Sequence, residues 1–214
     1  MEMYQVMAII PAAGIGARMG SNKPKQFIDL CGKPILAVTL SHFQQCNLVD
    51  KIVVVVSKDD VDYCSREIVD RYKLNKVFNV IVGGKRRQDS VRKGLEAVDD
   101  LCRWALIHDG VRPLVTTELI EKVIKAAKKF RAVITGLPVK ETVKELDDQS
   151  MVLRSVDRSQ LWLIQTPQMA TDDAFLIEKM GIPVKIIEGE ENNIKVTTPR
   201  DLDIARFLMS KKSA

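Results

Sequence analysis

The chain has 214 residues, of which 46% are hydrophobic and 29% are charged, and its net charge is +5 at pH 7. This is the composition of an ordinary globular protein, long enough to bury a core without disulfides or a structural metal. Aromatic residues amount to only 5%, which argues against a base-stacking surface for nucleic acid and favours a basic pocket for a small polyanion.

Sequence signals for metal-binding cysteines, membranes or secretion are also weak. The four cysteines form no C-x-x-C pair, and no apolar run approaches about 18 residues, so the sequence favours neither a zinc site nor a membrane span. The first residues lack a signal-peptide pattern and lead directly into a predicted strand. We therefore expect a cytoplasmic protein with reduced cysteines and no nucleic-acid or membrane partner.

Short apolar runs alternate with helical patterns through the first 138 residues. The apolar runs are continuous, as in strands covered on both faces, and lie at Val6–Pro11, Lys51–Ser57, Val77–Val82, Trp104–His108 and Ala132–Pro138. Helical patterns lie between them at Pro34–Cys46, Asp59–Tyr72, Ser90–Val98 and Thr116–Phe130. This alternation predicts a Rossmann-like α/β fold, an open and mostly parallel sheet with helices on both faces.

The pattern changes after residue 138. Residues 139–158 carry alternating and polar residues around a turn at residues 147–150, which predicts a β-hairpin arm that projects from the sheet. The chain then returns through predicted strands at Leu161–Gln165 and Lys185–Glu188, a short helix from Asp172 and a last helix from Thr198. Because no linker interrupts these elements, we expect one domain over residues 1–214.

A glycine-rich loop, residues 11–20, follows the first predicted strand. Small residues at this place let backbone N–H groups approach a phosphate. A dinucleotide loop would need a third glycine one place before Gly20, and the G-K-[ST] of a P-loop is absent. A nucleotidyltransferase loop, in which Arg18 and a downstream lysine face a triphosphate, is the third interpretation, and a purely structural turn is the fourth.

Lysines follow this loop within a few residues, at Lys23 and Lys25. A glycine-rich loop that carries an arginine and then a lysine suits a reaction at phosphorus. Fixed cations stabilise the charge that builds on the transferred phosphoryl group and on departing pyrophosphate. The alternative is that both lysines are exposed surface charges.

Several further motifs occur in a fixed order along the chain. They are Pro11–Met19, Pro24-Lys25-Gln26, Gly83-Gly84 through Asp89-Ser90-Val91, His108-Asp109-Gly110-Val111-Arg112-Pro113, Thr166-Pro167-Gln168 and Asn193–Thr197. This set resembles the 2-C-methyl-D-erythritol 4-phosphate cytidylyltransferase family of the non-mevalonate isoprenoid pathway. The resemblance implies a nucleotidyltransferase fold, transfer of CMP from CTP to the methylerythritol phosphate, release of pyrophosphate, a Mg²⁺ ion, and a homodimer with residues 139–158 as the dimerisation arm.

The resemblance also implies which residues bind the nucleotide. They lie in the glycine-rich loop, at the Gly-Gly turn and after the fourth strand: Pro11, Ala12, Ala13, Gly14, Gly16, Gly83, Gly84, Ser90 and Asp109. Asp109 is also the implied Mg²⁺ ligand. It follows a buried strand and precedes a glycine, a position that can aim a carboxylate into the crevice at the strand ends. The alternative is that Asp109 only caps a turn.

The implied catalytic residues are all cations. Arg18 and Lys25 would stabilise the transition state at the α-phosphorus, while Arg158 and Lys195 would hold the attacking phosphate in line. The implied acceptor-binding residues are Arg112, Thr142, Thr166 and Thr171, with Thr142 and Arg158 reaching across the dimer from the arm. No general base is required, because a phosphate monoester is already ionised at pH 7.

The sequence departs from the family pattern at two places. Lys85 stands where the family often has an acid, which puts one base contact in doubt. Between Gln168 and Thr171 the chain lacks a helix that family members usually carry, which leaves the placement of Thr171 open.

Other functions remain as alternatives. A ribitol-5-phosphate cytidylyltransferase shares the loop and the His-Asp-x-x-Arg-Pro motif. A nicotinamide-dependent reductase is suggested only by the glycine-rich turn, and a non-catalytic nucleotide-binding regulator is the third alternative.

Overall fold

The computed structural model describes residues 5–14, 16, 19–20, 23–97, 102–170 and 183–212. Its strands are, in chain order, β1 (Gln5–Pro11), β2 (Asp29–Leu30), β3 (Lys33–Pro34), β4 (Lys51–Val56), β5 (Val77–Val82), β6 (Cys102–Ile107), β7 (Ala132–Pro138), β8 (Val143–Leu146), β9 (Val152–Val156), β10 (Trp162–Ala170) and β11 (Lys185–Glu188). Seven of them form one sheet in the order β11-β7-β10-β6-β1-β4-β5, and β10 alone runs antiparallel to its neighbours within this sheet. The predicted mostly parallel sheet is confirmed.

The helices are α1 (Ile35–Gln45), α2 (Val61–Tyr63), α3 (Arg87–Glu96), α4 (Thr117–Phe130) and α5 (Pro199–Lys212). A 3-10 turn at Lys58–Asp60 precedes α2, and a π-helical segment at Cys64–Asp70 continues it. Helix α3 begins three residues before the predicted Ser90, and β10 extends five residues beyond the predicted Gln165. The helix predicted from Asp172 lies outside the described residues.

The central strands are buried on both faces, as their continuous apolar runs predict. In β1, Ala8 and Ile10 point to a core shared with α1 and α4, while Met7 and Ile9 point to a second core that contains Val91 of α3. The larger of these buried side chains, Met7, Ile9 and Ile10, each contribute roughly 1.5–3 kcal/mol relative to an exposed one. Helices therefore cover both faces of the sheet, and the carboxyl ends of β1, β4 and β6 are held rigidly at one edge.

Helix α4 shows how local sequence fixes an element. The Thr116 hydroxyl accepts a hydrogen bond from the Leu119 N–H at 3.1 Å and caps the helix. Buried residues then recur on one stripe, Leu119, Ile120, Val123, Ile124 and Ala127, while lysines occupy the outer face. The helix ends at Phe130, and the C-cap residue Arg131, whose φ is 67°, turns the chain directly into β7.

The hairpin arm is formed by β8 and β9, paired antiparallel from Val143 opposite Val156 to Leu146 opposite Val152. Large apolar side chains on it are exposed, including Met151 at 64% and Leu153 at 60%. Among the helices that the structure describes, none is both long and apolar enough to cross a membrane.

Candidate active site

The glycine-rich loop leaves β1 at the carboxyl edge of the sheet. The Ala12 N–H donates to the Val55 carbonyl at 2.7 Å, which ties the loop to β4. Gly16 has a φ of +71°, and a Cβ there would lie 3.0–3.2 Å from the aliphatic carbons of Lys25. A glycine at this position therefore lets the Lys25 side chain cross the loop. Arg18 lies outside the described residues.

The Gly83–Gly84 turn after β5 packs directly against this loop. A Cβ on Gly83 would lie 2.8 Å from both the Ala13 Cβ and the Ser90 Oγ. The Ser90 hydroxyl accepts from the Gly84 N–H at 3.1 Å and donates to the Arg86 carbonyl at 3.4 Å. Ser90 thus holds the shape of the turn, in addition to lining the cleft described below.

Asp109 follows β6 and is the buried anion of the site, with a side chain only 8% exposed. Arg87 Nε lies 2.8 Å from its Oδ1, while Lys195 Nζ and Arg112 Nε lie 2.9 and 3.6 Å from its Oδ2. Burial by itself raises the pKa of the Asp109 carboxyl, but attraction to Arg87 and Lys195 and their hydrogen bonds lower it well below its usual value. The carboxylate is therefore ionised at neutral pH.

A buried hydrogen-bond chain holds Asp109 from behind. Its N–H donates to the Thr166 Oγ1 at 3.1 Å, and that hydroxyl lies 3.1 Å from His108 Nδ1. His108 Nε2 lies 3.2 Å from the Arg112 carbonyl, which can only accept, so the proton resides on Nε2 and Thr166 donates to Nδ1. Burial lowers the pKa of His108 to about 3, which keeps this arrangement neutral and fixed.

Asn193 connects the buried hydrogen bonds behind Asp109 to the segment that carries Lys195. Its Nδ2 donates to the Thr166 carbonyl at 2.7 Å, and its own carbonyl accepts from Arg112 Nη1 at 2.7 Å. The residue directly after Lys195 is fixed as well, because the Val196 N–H donates to the Val111 carbonyl at 2.8 Å. Lys195 is therefore placed beside Asp109 by bonds on both sides of it.

These elements enclose a cleft of about 590 Å³, including its open mouth. Nine of the residues predicted from the sequence line it: Pro11, Ala12, Ala13, Gly14, Lys25, Gly84, Ser90, Asp109 and Lys195. Gln26, Lys85, Arg86, Arg87 and Val111 line it as well. Within the part of the chain that the structure describes, five of the lining side chains are cationic and one is a carboxylate, so the cleft suits a polyanion.

The other predicted residues lie around the cleft or away from it. Gly16, Gly83, Arg112 and Thr166 support its walls. Thr142 and Arg158 are exposed on the arm, just outside strands β8 and β9, where Arg158 donates to the Lys140 carbonyl. Thr171 lies outside the described residues.

Sequence reasoning missed Arg87 and Gln26. In the sequence Arg87 is the last of three consecutive cations, Lys85–Arg87, and nothing there distinguishes it from the other two, whereas the structure places it on Asp109. Gln26 was recognised within a motif but given no role; it is 1% exposed, and its Oε1 has no hydrogen-bond partner in the described part of the chain. Its place in the cleft lining is the signal that a ligand donor could satisfy it.

A Mg²⁺ ion fits this site only together with a phosphate ligand. Within the described residues, no group of three or more His, Cys, Asp or Glu could hold a metal. Asp109 supplies one ionised carboxylate, and Mg²⁺ is commonly bound by one or two carboxylates plus substrate phosphates and water. Both Asp109 oxygens already face cations, so an ion that arrives bound to a triphosphate suits the site better than a free one.

The fold and the site together are those of an α/β nucleotidyltransferase. They combine a mostly parallel sheet, a glycine-rich loop packed against a Gly-Gly turn, and cations around a buried carboxylate. The family model described as IspD, 2-C-methyl-D-erythritol 4-phosphate cytidylyltransferase, matches residues 6–170 and 169–211. The chain belongs to this family.

Individual relatives agree over nearly the whole length. The 2-C-methyl-D-erythritol 4-phosphate cytidylyltransferase of Caldanaerobacter subterraneus subsp. tengcongensis is 39% identical over 225 residues, covering 96% of this chain and 99% of the relative. That of Dehalococcoides mccartyi is 43% identical, covering 97% of each. The crystal structure of 4-diphosphocytidyl-2C-methyl-D-erythritol synthase from Anaerococcus prevotii has a TM-score of 0.81 at 32% identity, covering 96% of this chain and 98% of that one.

These alignments agree with the shortened segment expected after Gln168. The two stretches matched by the family model meet at residues 169–170. The 225 positions aligned with the Caldanaerobacter relative also exceed the 214 residues of this chain, so some residues of the relative have no counterpart here.

Proposed function

We propose that this protein transfers the CMP moiety of CTP to 2-C-methyl-D-erythritol 4-phosphate, releasing pyrophosphate and forming 4-diphosphocytidyl-2-C-methyl-D-erythritol in isoprenoid precursor synthesis. The observation that carries the proposal is the cleft, which is lined by the glycine-rich loop, the Gly-Gly turn, Lys25 and the buried carboxylate of Asp109. Membership of the family supplies the identity of the two substrates.

Different parts of the cleft bind the cytidine and the triphosphate. We assign the cytidine to the wall formed by Ala13 and the Gly83–Gly84 turn, and the triphosphate to the N–H groups of the glycine-rich loop. An oxygen of the acceptor phosphate attacks the α-phosphorus, and the bond from that phosphorus to the bridging oxygen breaks. Pyrophosphate leaves with the bonding electrons, and no proton has to be removed from the nucleophile.

The protein's contribution is then charge and position. Lys25, with Arg18, stabilises the charge that develops at the α-phosphorus, and one such group is worth about 2–4 kcal/mol of barrier. Lys195 and Arg158 hold the acceptor phosphate, because two anions approach each other only when cations neutralise them. Lys195 already lies 2.9 Å from Asp109, so it can connect the acceptor phosphate to the nucleotide side of the site.

Asp109 would hold the Mg²⁺ ion that accompanies CTP. When bound, this ion neutralises charge on the triphosphate and favours departure of pyrophosphate. Arg87, Lys195 and Arg112 keep the carboxylate ionised and immobile before the nucleotide arrives.

The acceptor half of the site depends on the arm. Thr142 and Arg158 are exposed, far along the chain from the glycine-rich loop. The arm also exposes Leu146, Met151 and Leu153, and clustered apolar exposure of this kind marks an interaction surface. We therefore propose a homodimer in which the arm, residues 139–158, contacts the partner. A cytoplasmic location and a single domain over residues 1–214 stay predictions.

The function is tested by measuring pyrophosphate release from CTP with Mg²⁺ and either of two acceptors. We expect turnover with 2-C-methyl-D-erythritol 4-phosphate and little with ribitol 5-phosphate. Turnover with ribitol 5-phosphate alone would overturn the acceptor assignment. CTP binding without turnover with either acceptor would favour a regulator, and tight NADPH binding without CTP binding would favour a reductase.

The dimer is tested separately by sedimentation at micromolar concentration. Wild type should sediment as a dimer and Leu153→Asp as a monomer. A monomeric wild type with full turnover would contradict the role of the arm and leave the transfer reaction in place.

A further inference from the structure

Arg87 occupies a position that helix stability does not explain. It is the first residue of α3, directly after the N-cap residue Arg86. The N-terminus of a helix carries partial positive charge, so an arginine there is electrostatically unfavourable. An acid in the first turn, Asp89, is the residue that suits this end of the helix.

The neighbouring arginines of α3 are used differently. Arg86 donates from Nε and Nη2 to Asp89 at 3.3 and 3.2 Å, an exposed pair that belongs to the helix cap. Arg92 lies 3.7 Å from Glu96 on the exposed side of the helix. Among these three arginines, Arg87 is the one that pairs with a buried carboxylate.

The Arg87 side chain joins the interior of the protein to the cleft. Its Nε donates to Asp109 Oδ1 at 2.8 Å, yet the side chain as a whole is 47% exposed and lines the cleft. A guanidinium has five N–H donors in one plane, and the bond to Asp109 uses one of them. The terminal nitrogens therefore remain available for a second acceptor in the cleft, and phosphate oxygens suit their planar geometry.

We propose that Arg87 is a further ligand of the CTP triphosphate, and that it binds phosphate oxygens through its terminal nitrogens while its Nε keeps Asp109 in place. This inference rests on the proposed function. It gives Arg87 two tasks in one rigid group: it orients the carboxylate and adds a cation to the triphosphate site. Lysine at this position could carry the charge but could not make both contacts in one plane.

The first experiment measures CTP binding by calorimetry without divalent cations, for wild type, Arg87→Gln, Arg87→Lys and the matched control Arg92→Gln. We expect Arg87→Gln to weaken CTP binding at least tenfold, Arg87→Lys to weaken it less, and Arg92→Gln to change it less than twofold. Equal binding by wild type and Arg87→Gln overturns the proposal. Thermal unfolding of each variant establishes that it is folded. Because the Arg87 side chain is half-exposed, we expect its replacement to leave the fold intact.

The second experiment repeats Arg87→Gln in an Asp109→Asn background. If Arg87 touches phosphate, its removal still weakens CTP binding at least fivefold there. If Arg87 acts only through Asp109, the effect disappears in this background and the phosphate contact is refuted. A wild type that binds no CTP with or without Mg²⁺ overturns the proposed function itself, whereas wild-type binding and turnover combined with normal binding by Arg87→Gln overturns only the role of Arg87.

Discussion

Replacing Asp109 with asparagine should change stability, nucleotide affinity and turnover in different directions. Asparagine keeps the shape of the side chain and removes its charge. Arg87 and Lys195 are 47% and 37% exposed and can turn toward water, but Arg112 is 11% exposed and stays buried without its counter-ion. A stranded buried charge costs about 3–5 kcal/mol when nothing compensates it.

Arg112 keeps one compensation, because its Nη1 still donates to the Asn193 carbonyl. We therefore expect a loss of about 2–3 kcal/mol in unfolding free energy, somewhat less than the cost of an uncompensated buried charge. For a chain of this size the melting temperature should fall by about 5–10 °C.

Affinity for metal-free CTP should increase, since the variant removes the one carboxylate among the described residues that line the cleft. At a separation of about 8 Å in a water-like dielectric, each pair of unit charges contributes about 0.5 kcal/mol. Several phosphate charges together give about 1–2 kcal/mol, or roughly 5- to 30-fold tighter binding. Turnover with Mg²⁺ should fall about 10²–10³-fold, as when one preorganised electrostatic group is removed from an active site.

Calorimetry without divalent cations and steady-state pyrophosphate release measure these two quantities. The test is whether affinity for metal-free CTP rises while turnover with Mg²⁺ falls. If metal-free CTP binds more weakly to Asp109→Asn, the carboxylate serves mainly to hold the cations in place. If turnover stays within threefold of wild type, Asp109 is no part of the metal site.

Three further variants test other parts of the site. Lys25→Ala should raise the activation barrier by about 2–4 kcal/mol, and so lower kcat, with a small change in CTP affinity. The control Lys23→Ala should leave kcat unchanged. Equal kcat values for the two variants in stopped-flow measurements would contradict a transition-state role for Lys25. Because burial lowers the pKa of His108 from its ordinary value near 6.5 to about 3, the unfolded chain binds a proton between these pH values that the folded chain does not, and stability rises with pH there. Urea unfolding should therefore show that the free energy of unfolding falls between pH 7 and pH 5 by about 2 kcal/mol more in wild type than in His108→Asn. Equal decreases in the two proteins would refute a neutral buried imidazole. Gly83→Ala places a Cβ 2.8 Å from Ala13 and Ser90, which should cost about 1–3 kcal/mol in stability and weaken CTP binding; unchanged affinity would separate this turn from the nucleotide site.

The sheet could be predicted because burial on both faces leaves a direct mark on the sequence. The runs Val6–Pro11 and Lys51–Ser57 have no polar alternation, and both are central parallel strands in the structure. The direction and length of β10 could not be predicted in the same way. They depend on pairing with β6 and β7, which precede it by many residues, and a single strand's composition does not report its partners.

The start of α3 was placed too late for a local reason. Its cap is formed by Arg86 and Asp89 and lacks the usual serine or threonine, so the pattern that predicts a helix start is absent. Because the predicted helix began at Ser90, Arg87 was not recognised as a residue of its first turn. Three consecutive cations look alike in a sequence, and only the first turn of the helix determines which one points at Asp109.

The remaining part of the site depends on contacts between distant segments. The resemblance to the family singled out Thr166 as an acceptor-binding residue, and that role stays a prediction. In the structure its hydroxyl bridges His108 and the Asp109 N–H. A hydroxyl with both of its roles filled by buried neighbours cannot be recognised before the fold is known.

The place of β10 in the sheet has a consequence for how the chain is made. This strand lies between β6 and β7, although it follows both in the chain, so the middle of the sheet is completed by residues 162–170. While the chain emerges from the ribosome, β6 and β7 therefore have no shared neighbour, and their facing edges are open to pairing with other chains. Asp109 gains its bond to Thr166 only after β10 enters, and Lys195 follows later still. The cleft can thus assemble only after Lys195 has been synthesised.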